Sequence, residues 1–283
     1  MLRARAGDFY AGKRVLVVGG SRGSGRALAC LGARRGGRVC VAARGAADLE
    51  RVVTELPPVP SGPHGMAAFD TADTDGVARA RDAVYAVLGG LDVLVCGSGA
   101  ARAAGVFDAP PEDYRRMLDV NYLGHVNVVR TFGPDLARQR GGAICLVSSL
   151  AALVPIYGYA AYAASKAALA AFAEALRQEM KLHGVRVIVH FPPTTDTPGL
   201  VEENRTKPAA VWAIESQSGW NRVHSAERVA ASIAEAIEWD RPHGLAGFDS
   251  RFLATVMRLA PGLFRRLTDA EVRKAIATTR STS

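Results

Sequence analysis

Three side chains in the middle of the chain have the types and spacing needed to transfer a proton. Ser149 precedes Tyr162 by thirteen residues, and Lys166 follows Tyr162 by four. On a helix beginning near Ala160, Tyr162 and Lys166 share one face, which brings an ammonium close to a phenol. A free tyrosine has a pKa of about 10, and a neighbouring cation favours the phenolate. We therefore expect Tyr162 to exchange a proton with a carbonyl oxygen that Ser149 holds.

A glycine-rich turn near the N-terminus strengthens this interpretation, because a tyrosine and a lysine four residues apart occur by chance in many helices. Residues 15–18 form an apolar run typical of a strand, and residues 26–35 favour a helix. Glycines between them permit a tight turn, let the backbone approach a pyrophosphate and leave the helix N-terminus free to meet negative charge. The candidate cofactor-binding residues of this turn are Gly19, Ser21, Arg22, Gly23 and Gly25.

The residue that ends the second predicted strand indicates which dinucleotide binds. In such sites an acidic residue at this point accepts a hydrogen bond from the ribose 2′-hydroxyl and selects NAD. This chain has Ala43 and Arg44 there instead. Arg44 and Arg22 together would clamp a 2′-phosphate, so we predict NADPH and NADP as the cofactor pair. The alternative is that both arginines are ordinary solvated surface residues.

Composition and length limit the remaining possibilities. A chain of 283 residues with 49% apolar residues is long enough for one well-filled domain, and we expect a single domain over residues 1–283. Its four cysteines, at positions 30, 40, 96 and 145, lack metal-ligand spacing, so we expect reduced thiols and no metal site. Residues 1–11 lack the apolar core of a signal peptide, and no run is long enough to span a membrane. These features predict a cytoplasmic protein.

The formal charge of +8 is spread along the chain and comes mainly from arginine. Aromatic interleaving and finger-like ligands are missing, so we do not expect nucleic-acid binding. One segment, residues 251–266, combines apolar side chains with four arginines. Such a segment suits peripheral contact with an anionic membrane surface, a lid over an apolar substrate pocket, or a face buried in an oligomer.

Apolar runs alternate with helical patterns over most of the chain. This alternation predicts an α/β fold, a doubly wound parallel sheet of the Rossmann type with helices on both faces. Ser225 is expected to cap the N-terminus of one helix, and Gly184 to follow the C-terminus of another. The predicted strands are 15–18, 38–43, 66–69, 91–96, 143–147 and 185–191. The predicted helices are 26–35, 47–55, 75–88, 111–138, 162–182 and 226–239.

Ligands of such sheets bind at the carboxyl ends of the strands, so the residues that follow each strand are candidates. Asp70 is placed to meet an adenine edge, although a turn or capping role is about equally common for such an aspartate. Gly97 is small enough to let the backbone pass beside a cofactor. Asn121, inside a predicted helix, is either a solvated helix residue or the organiser of a water behind Lys166.

The glycine turn together with Asn121, Ser149, Tyr162 and Lys166 resembles the short-chain dehydrogenase/reductase family over about residues 13–199. The resemblance implies one domain with about seven strands, assembled into homodimers or homotetramers. It also implies that Tyr162 donates a proton to a ketone and that Lys166 lowers the pKa of Tyr162 and binds the cofactor ribose. Ser149 would hydrogen-bond the carbonyl, and Asn121 would hold a relay water.

A narrower resemblance lies downstream, where residues 192–208 are similar to the sphingolipid branch of that family, the 3-ketodihydrosphingosine reductases. It implies that NADPH reduces a long-chain keto substrate, 3-ketosphinganine, to sphinganine. Residues 192–222 would form the substrate loop, with Thr195 and Thr197 also touching the cofactor, and residues 245–283 would form an apolar, basic C-terminal extension.

Two other functions stay open on the sequence. One is NADPH-dependent reduction of another lipid-like or polyketide β-keto compound, as in 3-oxoacyl reductases, for which the same four catalytic residues would serve. The other is a non-catalytic NADP-binding regulator. The presence of all four residues argues against the regulator, because such proteins usually lose one of them.

Overall fold

The computed structural model describes residues 9–218 and 222–281, with the side chains of 217 and 278–281 left aside. Residues 1–8, 219–221 and 282–283 lie outside the described residues. Most of the N-terminal segment examined for a signal peptide, three residues of the predicted substrate loop and the last two of the predicted extension therefore lie outside them too.

Seven parallel strands form one sheet, and two short strands pair separately beside it. The strands in chain order are β1 (Arg14–Val18), β2 (Arg38–Ala43), β3 (Gly65–Ala68), β4 (Val93–Cys96), β5 (Ala143–Val147), β6 (Arg186–Phe191), β7 (Thr195–Asp196), β8 (His224–Ser225) and β9 (His243–Leu245). The main sheet has the spatial order β3-β2-β1-β4-β5-β6-β9, and β7 pairs with β8. The order reverses between β1 and β4, which opens a cleft at their carboxyl ends. The predicted sheet is confirmed.

Helices cover both faces of the sheet because its strands are apolar on both sides. The helices are α1 (Gly23–Arg34), α2 (Ala46–Glu55), α3 (Thr74–Leu88), α4 (Pro111–Leu118), α5 (Gly124–Gln139), α6 (Ala160–Lys181), α7 (Pro198–Arg205), α8 (Ala209–Gln217), α9 (Ala226–Glu238), α10 (Gly247–Leu259) and α11 (Pro261–Ser281). One apolar core lies between the sheet and α3, α5 and α6. The other lies between the sheet and α1, α2 and α9.

Local sequence signals define several helix ends. The Ser225 hydroxyl accepts a hydrogen bond from the backbone N–H of Arg228 and caps α9, as predicted. Gly184 has a φ of +70°, and the N–H of Val185 reaches back to the carbonyl of Met180. This left-handed turn closes the C-terminal end of α6 and leads the chain into β6.

The prediction of one regular helix over residues 111–138 is wrong in its middle. The segment Asp119–Leu123 between α4 and α5 has the wider π-helical winding, which bulges the helix by one residue. Asn121 lies in this bulge and is fully buried. Wider turns of this kind are often found at functional sites.

The C-terminal region adds two helices, α10 and α11, that the apolar pattern left unassigned. Leu253 and Phe264 point inward and pack against Val154, which follows β5 by a few residues. Leu259 and Leu263 lie on the exposed side. Residues 251–266 thus contribute partly to the interior of the protein, and their membrane contact stays a prediction. No helix in the described part of the chain is long and apolar enough to cross a membrane.

Candidate active site

The turn between β1 and α1 is packed so closely that glycine is required. Gly19 has a φ of +82°, and a Cβ there would lie 2.6 Å from the backbone of Gly97 and Ser98. A Cβ on Gly25 would lie 2.1 Å from the carbonyl oxygen of Gly19. The N–H of Gly97 also donates to the carbonyl of Val18 at 2.8 Å. The ends of β1 and β4 therefore meet backbone to backbone, as a cofactor that lies across them requires.

The N-terminus of α1 has the properties of an anion site. Arg22 occupies the N-cap position without a side-chain capping bond, and the first turn contains no acidic residue. Ser21 is partly buried beside it. Free N–H groups and the positive end of the helix dipole suit a pyrophosphate. The residues present therefore fit the phosphate part of a dinucleotide.

Residues that follow β6 close over the same turn. Thr197 caps α7 through its hydroxyl, which accepts from the N–H of Leu200, and its methyl carbon would lie 2.9 Å from a Cβ on Gly23. Thr195 instead donates its hydroxyl hydrogen to the carbonyl of Pro193 at 2.7 Å. Thr197 is thus brought to the glycine turn, whereas the Thr195 hydroxyl is engaged within its own loop.

Arg44 and Asp70, predicted separately, lie together after β2 and β3. The Arg44 guanidinium is 3.9 Å from the Asp70 carboxylate, and the side chain of Arg44 is 71% exposed. Such a long and exposed ion pair is weak. Arg44 is consequently available to another anion at little cost.

Ser149 and Tyr162 meet at the carboxyl end of β5. Ser149 starts a short 3₁₀ turn, where its Oγ accepts from the N–H of Ala151 at 3.2 Å. Loss of hydration raises the pKa of Tyr162 to about 12, against a hydrogen bond with Ser149 that lowers it, and the Glu203 carboxylate raises it further. The expected lowering of the Tyr162 pKa is therefore wrong for this structure. The phenol stays protonated at neutral pH.

Lys166 is 4% exposed, and its ammonium points to the backbone. Its Nζ donates to the carbonyl of Val147 at 3.0 Å. Burial lowers the pKa of Lys166 to about 7. The lysine is thus held beside the end of β5 and is only partly charged at neutral pH.

The side-chain amide of Asn121 ties three parts of the site together. Its Oδ1 accepts from the N–H of Ala100 and its Nδ2 donates to the carbonyl of Ala100, each at 2.9 Å. Nδ2 also donates to the hydroxyl of Ser165 at 3.0 Å, and that hydroxyl donates to the carbonyl of Tyr162. A Cβ on Gly99 would lie between Asn121 and Lys166, 3.2 and 3.4 Å from their polar atoms. The amide therefore positions the loop after β4 against α6.

His125 lies next to this group and was not among the predicted site residues. It is fully buried, and its Nε2 donates to the carbonyl of Cys96 at 3.1 Å. Burial lowers the pKa of His125 to about 3, and the nearby Lys166 ammonium adds to the effect. The ring is neutral and supports the end of β4. Its position four residues after Asn121 is the sequence signal that indicates a shared helix face.

A second group missed from the sequence surrounds Tyr159. Its hydroxyl contacts the carboxylates of Glu203 and Glu215, the latter at 2.8 Å. The ammonium of Lys207 lies 2.7 Å from Glu215 and 3.4 Å from Glu203. The ring of Tyr159 packs edge-on against Tyr162, with 6.2 Å between the ring centres. We call these four residues, Tyr159, Glu203, Lys207 and Glu215, the acidic cluster.

Comparison with known proteins assigns the fold and site to a family. The sequence profile of the short chain dehydrogenases matches residues 13–208, which is more than half of the chain. The chain belongs to this family, whose members are oxidoreductases that use nicotinamide cofactors. A short-chain dehydrogenase/reductase from Mycobacterium marinum has the same fold, with a TM-score of 0.72 and 26% identity over 81% of this chain and 91% of that one.

Curated relatives within the family share one name. A 3-dehydrosphinganine reductase from Danio rerio is 33% identical over 79% of this chain and 68% of its own length. The 3-dehydrosphinganine reductase TSC10A from Arabidopsis thaliana is 37% identical over 73% and 63%. A 3-ketodihydrosphingosine reductase from Bos taurus is 30% identical over 87% and 74%. The chain thus spans roughly two thirds of the length of these relatives.

The packing at Gly25 predicts the effect of one added methyl group. Gly25→Ala should raise the dissociation constant of the reduced nicotinamide cofactor at least about tenfold, because its Cβ would overlap the Gly19 carbonyl. Gly32→Ala, in the same helix, is the matched control. Its Cβ would make an ordinary 3.8 Å contact with Val39, so binding should stay unchanged and stability should rise by about 0.5–1 kcal/mol. Fluorescence titration and urea unfolding measure both, and equal binding by the two variants would contradict the proposed cradle.

Burial of Lys166 predicts a pH-dependent stability of the cofactor-free protein. Its pKa is about 7 when folded and 10.5 as a reference, so between these values only the unfolded chain binds the proton. The lysine's contribution to the free energy of unfolding therefore rises with pH across this window. Lys166→Met should be more stable than the wild type at about pH 6, and this advantage should shrink by about pH 9. Urea unfolding measures it, with exposed Lys181→Met as the control, and a pH-independent difference would contradict it.

Proposed function

We propose that this protein reduces the keto group of 3-ketosphinganine to the alcohol of sphinganine, with NADPH as the reductant. The observation that carries the proposal is the pairing of a protonated Tyr162 with Ser149 at the carboxyl end of β5. This pair lies on the same edge of the sheet as the glycine turn that fits a dinucleotide. The names of the curated relatives support the choice of substrate.

The mechanism depends on proton transfer at one oxygen. The bound nicotinamide cofactor supplies the hydride that reduces the carbonyl carbon. Tyr162 donates its phenolic hydrogen to the carbonyl oxygen as negative charge develops there, because its raised pKa keeps it protonated in the resting state. Ser149 donates a hydrogen bond to the same oxygen and orients the carbonyl toward Tyr162.

Two further residues position this pair. Lys166 lies one helical turn after Tyr162, and its position next to Gly99 places its ammonium beside the path of the backbone after β4. A positive charge there would favour the phenolate that remains after proton transfer. Asn121 fixes the same backbone through its two bonds to Ala100. We propose that these residues return a proton to Tyr162 after each turnover.

The surroundings of Ser149 suit a long alkyl chain. Leu150 and Leu153 follow Ser149 and pack in an apolar cluster with Val154, Leu253 and Phe264. An alkyl chain that extends from the carbonyl in this direction would stay out of water. The C-terminal helices therefore contribute an apolar surface near the reacting carbonyl, which favours a lipid-like substrate.

The substrate is tested by NADPH oxidation with 3-ketosphinganine in detergent, with a β-ketoacyl thioester for comparison. We expect turnover of the ketosphinganine alone. Turnover of the thioester alone would overturn the substrate and assign the protein to the 3-oxoacyl reductases. Turnover of neither would overturn the proposed function.

Removal of one hydroxyl tests the mechanism. Tyr162→Phe should lower kcat at least about a hundredfold, because the proton donor is lost, while NADPH binding stays nearly intact. Tyr122→Phe is the matched control, since this partly buried ring packs against Phe172 on the other side of α6. Full activity of Tyr162→Phe in the 3-ketosphinganine assay would overturn the mechanism.

Arg44 tests the preference for NADPH. Arg44→Ala should weaken NADPH binding by about 1.5–3 kcal/mol, or about ten- to 150-fold, because a charge-assisted contact with the 2′-phosphate is lost. NADH lacks this phosphate, so its binding should change little. Arg79→Ala is the control, since its side chain is 72% exposed and also pairs with an aspartate. Equal loss for both cofactors in a fluorescence titration would show that Arg44 does not contact the 2′-phosphate.

A further inference from the structure

The acidic cluster contains two carboxylates and only one amine, all largely removed from water. The side chains of Glu203 and Glu215 are 13% and 15% exposed, and that of Lys207 is 2% exposed. Lys207 also lies 4.8 Å from the centre of the Trp212 ring. The cluster is therefore a built part of the interior, which distinguishes it from an ordinary pair of surface charges.

Hydrogen bonding within the cluster leaves one oxygen unused. Glu215 receives Tyr159 on Oε1 and Lys207 on Oε2. Glu203 meets both of these donors through Oε1 alone. Tyr159 has one hydroxyl hydrogen, so it donates to only one of the two carboxylates at a time. Within the described residues, Glu203 Oε2 forms no hydrogen bond and Glu203 has spare capacity as an acceptor.

The charges of the cluster do not cancel. Two carboxylates and one ammonium leave one negative charge in surroundings that exclude most of the solvent. A charge without a partner is costly in such a place, and a cation that binds next to it would offset the cost. The nearest acidic neighbour in sequence, Glu202, already pairs with Arg205 and is exposed. The surplus charge thus belongs to the cluster and is carried by the carboxylate with the unused oxygen.

This surplus charge lies beside the reacting carbonyl. The Tyr159 ring contacts Tyr162, and Glu203 is close enough to Tyr162 to raise its pKa. A cation bound to Glu203 would therefore be a near neighbour of the oxygen that Tyr162 protonates. A substrate with an amino group next to its keto group has its cation at this position.

We propose that the Glu203 carboxylate binds the ammonium group that the substrate carries on the carbon adjacent to its keto group. This inference rests on the proposed function, because 3-ketosphinganine has such a 2-amino-3-keto arrangement. Glu215 and Lys207 hold Glu203 in place and keep its other oxygen occupied. A β-ketoacyl thioester has no amino group there and leaves the buried carboxylate without a partner. The acidic cluster thereby selects amino ketones over other β-keto compounds.

The wild-type protein gives the first test. Its kcat/KM is measured with 3-ketosphinganine and with 1-hydroxyoctadecan-3-one, the same ketone without the amino group. We expect at least about a tenfold preference for the amino ketone, as the loss of one charge-assisted contact implies. Equal kcat/KM values for the two ketones would overturn the inference and leave the reductase function standing. No turnover of either ketone would overturn the proposed function itself.

Substitution of Glu203 gives the second test. Glu203→Gln should lower kcat/KM for 3-ketosphinganine at least about tenfold, mainly through KM, and change that for the deaminated ketone by less than about threefold. Glu202→Gln is the matched control on the same helix and should change neither. Tyr159→Phe removes the shared hydroxyl but keeps both carboxylates, so it should keep the preference for the amino ketone. An equal loss for both ketones in Glu203→Gln, with a normal urea midpoint, would overturn the inference.

Discussion

Backbone contact at the point where the strand order reverses is the constraint on which the site depends. Gly19 lies so close to Gly97 and Ser98 that no side chain fits between them. This contact joins the turn that fits a pyrophosphate to the loop after β4, which Asn121 then holds against α6. A cofactor cradle and a proton donor that are about 140 residues apart in sequence therefore share one edge of the sheet.

Removal of water is the second physical effect that shapes the chemistry. It raises the pKa of Tyr162, lowers that of Lys166 and keeps His125 neutral. An acid that stays protonated beside a partly charged lysine suits the direction of reduction, in which the tyrosine gives up a hydrogen. The acidic cluster adds a negative charge on the substrate side. Together these groups form a site whose polarity differs between its cofactor side and its substrate side.

Much of the fold could be predicted because its signals are local. Alternating apolar runs indicated the parallel sheet, and the glycine turn and the spacing of Tyr162 and Lys166 identified the family. Helix ends at Ser225 and Gly184 were also correct. The bulge at Asn121 was missed, since no residue pattern distinguishes a π-helical turn from a regular one. The helices α7, α8, α10 and α11 were missed because their apolar faces pack against distant segments.

The sequence by itself determined which residue types could act and how they are spaced along single elements. Only the tertiary structure decided their electrostatic state, because burial and long-range neighbours set it. Lys166 was expected to lower the pKa of Tyr162, yet burial and Glu203 raise it. Tyr159 meets Glu203 and Glu215 across separations of 44 and 56 residues. The sign and strength of such interactions depend on the surrounding water, and the chain order contains no record of which groups lose it.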